Sequence, residues 1–284
     1  MKVRLLLSTQ RSGSHFLKSF IESHFPAVVC YGEILRQPGS LARQYPALAH
    51  HPEFLHFWPW YESEAAAGKI SVAPDQRMVA FAAYLAKLSE QVRPGDLVLD
   101  IKYNSIRSLS GYWDSDYGSH DFTSFITSRN IPVLHLIRKN ILKTIVSNKL
   151  ALETGVWHRA EERREDEALP KVRLNPKSVL FDIRYAFKLT QDYQVRFSGY
   201  PRYEEIIYED FVREQDLPEP GVNLRTLSCF LERSPIASRP VTLPFKKTTP
   251  ADPAEVVENW PEVIRILRTT EHGWMTDAPY LAAA

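Results

Sequence analysis

The N-terminal part of the chain changes its hydrophobic pattern at one short polar stretch. Residues 3–7 form a run that is apolar except for Arg4, which is typical of a buried parallel strand. The next apolar positions recur at the spacing of a helix face, and they are Phe16, Leu17, Phe20 and Ile21. Residues 8–15 lie between these two patterns. The sequence therefore predicts a strand, a tight turn and a helix.

The same alternation continues along the chain. Further strand-like runs occupy residues 27–33, 96–104, 131–140 and 202–211. Helical patterns cover residues 76–91, 121–129, 177–197 and 253–268. Strands that alternate with helices favour an α/β protein with a central, mostly parallel sheet, whose ligands bind beyond the carboxyl ends of the strands.

Composition limits the class of protein. With 284 residues and 44% hydrophobic residues, the chain is expected to form a single domain over residues 1–284. Its 35 basic and 34 acidic residues nearly cancel, so we expect no nucleic-acid partner, and any anion site must be local.

Cysteine content and hydropathy indicate the compartment. Cys30 and Cys229 are too few for a disulfide framework or for a zinc site built on thiolates. The apolar start of the chain is too short for a signal peptide, and no run approaches the length of a transmembrane segment. The sequence predicts a cytoplasmic protein without a metal.

The turn after the first strand has the chemistry of an anion site. Gly13 allows a sharp backbone turn, and the first N–H groups of the next helix are unpaired at the positive end of its dipole. Arg11, Ser12 and Ser14 add charge and hydrogen-bond donors. The alternative interpretation is an ordinary turn in which a serine caps the helix.

Charged residues also end the other strands of the predicted sheet. Glu33 follows the second strand, Lys102 ends the third, and Arg138 and Lys139 end the fourth. A charged residue that leaves a strand is often simply solvated. The carboxyl ends of parallel strands meet at one edge of a sheet, however, so the coincidence favours a shared site.

Four segments together resemble the sulfotransferases that use 3′-phosphoadenosine 5′-phosphosulfate (PAPS), especially bacterial carbohydrate enzymes of the trehalose and nodulation-factor type. The segments are "STQRSGSHFLKSFIESHF" at 8–25, "CYGEILRQPG" at 30–39, "LDIKYN" at 99–104 and "HLIRKNILKTIVSNKLALETGVW" at 135–157. The resemblance continues weakly into residues 244–263. It implies a P-loop-like, three-layer α/β/α fold.

The resemblance also implies residues that bind the nucleotide. The first loop would hold the 5′-phosphosulfate, and its residues are Arg11, Ser12, Gly13 and Ser14. The second would hold the 3′-phosphate through Arg138 and Ser147, which are nine residues apart as in the bacterial branch. Lys139, eight residues before Ser147, is the alternative anchor. Lys246 and Lys247 would close over the nucleotide from the C-terminal part of the chain.

Catalytic roles follow from the same resemblance and from the chemistry of the residues. Glu33 would act as the general base that takes the proton of the acceptor hydroxyl. Its alternative roles are those of a helix N-cap neighbour or a salt-bridge partner of Arg36. Arg11 and Lys102 would stabilise the charge that develops on the transferring group, although Lys102 could instead only neutralise Asp100. His15 is a further candidate donor, or a surface residue.

Two other functions compete with sulfuryl transfer. A phosphate-loop kinase would share the strand, loop and helix, but the chain lacks the G-x-x-x-x-G-K-[ST] spacing, and Lys102 faces the same side as Asp100, where it would oppose Mg²⁺. A non-catalytic nucleotide-binding module would have lost Glu33 or Arg11, and both are present.

The sequence identifies the acceptor less closely than it identifies the nucleotide site. By resemblance it is a carbohydrate or glycolipid hydroxyl. Aromatic residues in the segment 54–61 form either a sugar platform or a small core, and Trp157 is similarly ambiguous. The charged stretch 161–176 is predicted to be an exposed loop or the base of a lid. The oligomeric state is left open.

Overall fold

The computed structural model of the chain describes residues 2–36, 56–91, 95–109, 115–156, 170–214, 221–235 and 252–277. Its strands are β1 (Val3–Ser8), β2 (Val28–Glu33), β3 (Asp96–Lys102), β4 (Val133–Ile137) and β5 (Tyr203–Ile207). The helices among these residues are α1 (Ser14–His24), α2 (Phe57–Ala66), α3 (Arg77–Gln91), α4 (Tyr103–Ile106), α5 (Ser115–Ser128), α6 (Ile141–Thr154), α7 (Pro176–Arg196), α8 (Tyr208–Glu214), α9 (Val222–Leu231) and α10 (Trp260–Leu267).

The five strands form one sheet in the order β2-β3-β1-β4-β5, and every pairing is parallel. The prediction of an α/β fold with a parallel sheet is confirmed. After β1, the chain adds β2 and β3 toward one edge of the sheet and then β4 and β5 toward the other edge. The loops that leave β1 and β4 therefore diverge over the carboxyl end of β1, which is where open parallel sheets bind ligands.

Apolar side chains cover both faces of the sheet, which gives the three-layer architecture. On one face, Leu5, Leu7 and Leu99 pack with residues of α2, α3, α5 and α7. On the other, Leu6, Val98 and Leu134 pack with α1, α8 and α9. Alternate residues of β1 thus enter opposite cores, which explains why three leucines follow one another at residues 5–7.

The sequence prediction of a continuous helix near the end of the described chain is wrong. The helix predicted over 253–268 is a 3₁₀ turn at Pro253–Glu255 followed by α10, which begins only at Trp260. Between them, Val257 forms a parallel bridge with Val172, and Pro261 occupies the first turn of α10, where its missing N–H costs nothing.

The Val172 bridge also bears on the prediction of an exposed loop or lid base for the stretch 161–176. Val172 is 2% and Leu174 is 5% exposed, whereas Lys171 and Arg173 are exposed, so alternate residues of the described end are buried. Asn259 fixes it by exchanging side-chain hydrogen bonds with the backbone of Leu174. Residues 157–169, which include Trp157, lie outside the described residues.

The aromatic segment belongs to the hydrophobic core. Phe57, Trp58, Trp60 and Tyr61 are each 9% exposed or less, and they pack against Phe81 and Tyr84 of α3. Phe54 lies outside the described residues. The core interpretation of residues 57–61 is therefore correct, and these side chains offer no exposed platform for a sugar.

Candidate anion-binding site

The loop after β1 turns through two residues in the left-handed region of backbone space. Arg11 has φ +58° and Gly13 has φ +93°. Gly13 is the N-cap of α1, and no side chain caps this helix. The alternative in which a serine caps the helix is therefore wrong. The amides of the first turn of α1 keep their donor capacity for another group.

Tyr208, the first residue of α8, packs between the two loops that the sequence assigns to phosphate binding. A Cβ atom placed on Gly13 would lie 2.0 Å from Cε2 of the Tyr208 ring, so only glycine fits at this approach. On the other loop, the guanidinium carbon of Arg138 lies 4.2 Å from the ring centroid. The ring is 6% exposed, and burial raises the pKa of its hydroxyl. It fixes the separation of the two loops.

Arg11 joins the first loop to α6 directly. Its Nε and Nη2 atoms donate to the hydroxyl of Ser147, at 3.0 and 2.8 Å. These residues are far apart in sequence, and the fold brings them into contact because β1 and β4 are neighbours in the sheet. The two loops predicted to hold opposite ends of a nucleotide therefore meet at one pair of side chains.

Lys102 is buried beneath the first loop, with 1% of its surface exposed. Its ammonium lies 2.8 Å from the hydroxyl of Ser8, 2.7 Å from that of Ser14 and 2.9 Å from Oδ1 of Asp100. The ammonium thus donates hydrogen bonds to two hydroxyls and forms a buried ion pair with the carboxylate. The neutralisation of Asp100, which the sequence left as an alternative role for Lys102, is present in the structure.

A second lysine engages the same carboxylate. Lys18 of α1 places its Nζ 3.1 Å from Oδ2 of Asp100. Burial favours the neutral acid, but the charges of Lys102 and Lys18 outweigh it and hold the pKa of Asp100 below its ordinary value. The imidazole of His15 acts on this carboxyl in the same direction. Each oxygen of Asp100 thus faces a cation.

Glu33 ends β2 beside Asp100 in the strand register, one strand away from this cluster. Its Cα lies two strand spacings, about 10 Å, from β1. The backbone carbonyls of residues 33–35 accept hydrogen bonds from residues 56–58, at the start of α2. His56 Nδ1 donates to the Glu33 carbonyl (3.1 Å), Phe57 N to that of residue 34 and Trp58 Nε1 to that of residue 35. The backbone of Glu33 is therefore held at the sheet edge.

His56 is a residue of this edge that the sequence did not single out. Burial lowers the pKa of its imidazole, and the nearby positive charges of Arg36 and Lys18 act in the same direction. A carbonyl oxygen only accepts hydrogen bonds, so Nδ1 of the neutral imidazole carries the proton. His56 is thus a neutral, oriented ring next to the backbone of Glu33.

At the end of β4, Arg138 lies against an acidic residue that the sequence also did not single out. Its Nε is 3.1 Å from Oε1 of Glu209, and both side chains are less than 10% exposed. The Glu209 carboxylate also accepts the backbone N–H groups of Lys139 (3.0 Å) and Asn140 (2.9 Å). Glu209 therefore satisfies the donors at the start of α6 that an external anion would otherwise meet.

Lys139 has a different position from its neighbour. Its side chain is 47% exposed, and Nζ lies 3.2 Å from Asp210. A cavity of about 310 Å³ opens at this point, and the described residues that line it are Lys139, Glu209, Arg213 and Trp274. The side chain of Lys139, one of the two candidate anchors, therefore reaches a cavity. Lys246 and Lys247 lie outside the described residues.

Two different signals could have found the residues that sequence reasoning missed. Lys18 lies on the same face of α1 as Ser14, one helical turn later, so helical spacing alone could have placed it near the loop. Tyr208 and Glu209 follow β5 directly and thus belong to the same sheet edge. They were overlooked because the strand prediction over 202–211 included them, whereas β5 ends at Ile207 and α8 begins there.

Other kinds of site are not found in the part of the chain that the structure describes. No group of three or more histidine, cysteine or carboxylate side chains in it is arranged to hold a metal ion. Within the same ranges, no helix has the length and apolar character needed to cross a membrane.

Comparison with known proteins gives a similar solved structure among its matches. No protein-family model matches the chain, and no curated protein matches it. The solved structure is a sulfotransferase domain from the curacin biosynthetic pathway, with 16% sequence identity over 87% of this chain and 78% of that one. The TM-score is 0.45, which is too low for the likeness to decide either fold or function.

Proposed function

We propose that the protein is a sulfotransferase that moves a sulfuryl group from PAPS to a hydroxyl of a carbohydrate or glycolipid acceptor. The observation that carries the proposal is the pair of hydrogen bonds between Arg11 and Ser147. It unites an anion-binding loop after β1 with the helix after β4. A donor with a phosphate group at each end of a nucleoside needs two such elements at one sheet edge.

The first loop fits a phosphosulfate in its chemistry. The hydroxyl of Ser12 is buried and has no hydrogen-bond partner among the described residues, as expected for a group that awaits a ligand. The amides at the start of α1 have no side-chain cap. Arg11 and Ser14 complete a set of donors around Gly13, and this set would hold the 5′ end of the donor.

The second loop would hold the 3′-phosphate, and two residues of it, Arg138 and Lys139, are candidate anchors. Arg138 has the spacing from Ser147 that the resemblance implies, but its Nε faces Glu209. Lys139 lines the adjacent cavity. On the basis of the spacing we assign Ser147 and Arg138 to this phosphate, with Lys139 as the alternative. A phosphate bound there would compete with Glu209 for Arg138.

The reaction requires a base and stabilisation of charge. Glu33 would take the proton of the acceptor hydroxyl as its oxygen forms a bond to sulfur. The bond between sulfur and the phosphate oxygen breaks in line, and adenosine 3′,5′-bisphosphate leaves with the electron pair. Arg11 and the amides of α1 would stabilise the charge that grows on the leaving oxygen.

The geometry around Asp100 weighs against a kinase. A phosphate-loop kinase needs an acidic side chain near the loop to hold Mg²⁺. Asp100 has the right place in the sheet, but its two oxygens face the ammonium groups of Lys102 and Lys18. A divalent cation would have to displace a buried ion pair on each side, and a sulfuryl group carries less charge than a terminal phosphoryl group and needs no metal.

The test is transfer of radiolabelled sulfate from PAPS to a panel of glycans, glycolipids and small alcohols. We expect Glu33→Gln to lower turnover by about 100- to 10,000-fold, the range typical of a positioned base. Glu62→Gln, an exposed glutamate on α2, is the matched control and should be unaffected. Near-normal turnover of Glu33→Gln would eliminate Glu33 as the base, and the absence of any transfer by the wild-type chain would count against the proposed function.

A further inference from the structure

Three charged side chains beneath the first loop form a buried cluster, which we call the lysine clamp and which consists of Lys18, Asp100 and Lys102. Asp100 is 0%, Lys102 1% and Lys18 7% exposed. The carboxylate lies between the two ammonium groups, at 3.1 Å from Lys18 and 2.9 Å from Lys102. The charges of a buried ion pair usually cancel, whereas the charges of these three side chains do not.

The imbalance has an electrostatic consequence. Two ammonium groups and one carboxylate leave one net positive charge under the loop. Asp100 and Lys102 alone would cancel, so the surplus charge depends on Lys18. In a buried, weakly screened position this charge acts on a ligand in the loop without contacting it.

The clamp also sets the direction of hydrogen bonding in the loop. The Lys102 ammonium can only donate, so the oxygens of Ser8 and Ser14 must accept at 2.8 and 2.7 Å. The hydroxyl hydrogen of Ser14 is then left for another acceptor. An anion in the loop is such an acceptor, so Lys102 makes Ser14 a donor toward the ligand.

We infer that Lys18 is a positioning residue for the anionic donor: because it shares Asp100 with Lys102, the three side chains keep one net positive charge at the floor of the loop. This inference rests on the proposed function for the identity of the ligand, PAPS or its product. It assigns a role in donor binding to a lysine on α1 that lies outside the loop itself. The residue acts through Asp100 and Lys102.

A purely structural role for Lys18 predicts something different. If the lysine only stabilised a buried carboxylate, its loss would lower the stability of the fold, and the loss of Asp100 as well would not restore ligand affinity. If the net charge matters, affinity should follow the charge of the clamp whichever residues supply it. A double-mutant cycle on Lys18 and Asp100 separates these possibilities.

The experiment is calorimetric titration of four proteins with adenosine 3′,5′-bisphosphate in the presence of EDTA. Lys18→Met keeps the apolar stem and brings the clamp to zero charge, Asp100→Asn brings it to two positive charges, and the double variant returns it to one. We expect Lys18→Met to weaken binding about tenfold, the effect of one charge over roughly 12 Å at an effective dielectric constant of about 20. The double variant should regain wild-type affinity to within about threefold.

The controls keep each result interpretable. Lys18→Arg retains the charge and should bind as the wild type does, and thermal unfolding of every variant reports folding separately. If Lys18→Met does not fold, the double variant compared with Asp100→Asn makes the same one-charge comparison and should bind about tenfold more weakly.

Two results would overturn the inference. One is a Lys18→Met protein with unchanged affinity, and the other is a double variant that binds as weakly as Lys18→Met. Inorganic pyrophosphate serves as a second probe of the loop, so that failure of the proposed function can be recognised. Binding of pyrophosphate that follows the clamp charge, without binding of the nucleotide, would support the inference and contradict PAPS as donor. A wild-type chain that binds neither probe would contradict both.

Discussion

Replacement of Gly13 by alanine tests the packing that joins the two loops. The new Cβ would lie 2.0 Å from Cε2 and 2.3 Å from Cδ2 of Tyr208, far inside van der Waals contact. The position also has φ +93°, which strains any residue with a side chain. Tyr208 cannot simply move away, because its ring packs on Arg138 and lies edge-on to Phe16.

Gly199 provides the matched control for the size of the effect. It has φ +76°, but no atom lies within 4 Å of the place that a new Cβ would take, so Gly199→Ala carries backbone strain without a clash. Forcing a methyl group into a packed site costs about 1–3 kcal/mol. We therefore expect Gly13→Ala to be less stable than Gly199→Ala by about 2 kcal/mol, which lowers Tm by a further 3 °C or so in a chain of 284 residues.

The assay is thermal and urea unfolding of both variants, repeated in a Tyr208→Leu background. Removal of the ring should reduce the penalty of Gly13→Ala to that of Gly199→Ala. The reasoning is refuted if Gly13→Ala is as stable as the control in the native background, or if its penalty is the same with and without Tyr208.

Three further predictions concern other parts of the site. Arg138→Ala leaves Glu209 buried without its cation and should lower the free energy of unfolding by about 3 kcal/mol. Arg138→Lys should be less destabilising, and equal urea midpoints for Arg138→Ala and the wild type would contradict the pairing. Burial lowers the pKa of His135 to about 3, so this residue stays neutral in the folded state. The free energy of unfolding should therefore fall by about 1.4 kcal/mol per pH unit below the ordinary pKa of 6.5, because the unfolded chain takes up a proton there. His135→Gln should flatten that slope in urea titrations between about pH 6 and 4.5, and an unchanged slope would contradict a neutral His135. Glu33→Gln should leave the affinity for adenosine 3′,5′-bisphosphate within about threefold of the wild type while turnover falls, whereas Arg11→Ala should lower both affinity and turnover. A Glu33→Gln protein that fails to bind the nucleotide would show that Glu33 serves nucleotide binding.

The sheet was predictable because its strands are buried on both faces. A short apolar run such as residues 5–7 followed by helical spacing leaves few alternatives, and the parallel arrangement follows from the alternation of strands and helices. The positions of Arg11, Glu33, Lys102 and Arg138 at the same edge follow from that arrangement alone.

The partners of these side chains were not predictable from the pattern. Which acid Arg138 meets depends on where β5 ends, and a strand end is not marked when the next helix begins at once with Tyr208. The contact of Arg11 with Ser147 depends on side-chain reach between neighbouring strands. The break between Pro253 and Trp260 arises from a tertiary bridge to Val172, which overrides the local helical pattern.

Nucleotide preference tests the central claim most directly. Adenosine 3′,5′-bisphosphate and ATP are titrated into the wild-type chain by calorimetry, first with EDTA and then with Mg²⁺. Two phosphate-binding elements joined by Arg11 and Ser147, and an Asp100 held between two lysines, predict that the bisphosphate binds without metal and more tightly than ATP. Tighter binding of ATP that requires Mg²⁺ would contradict the account and favour a kinase.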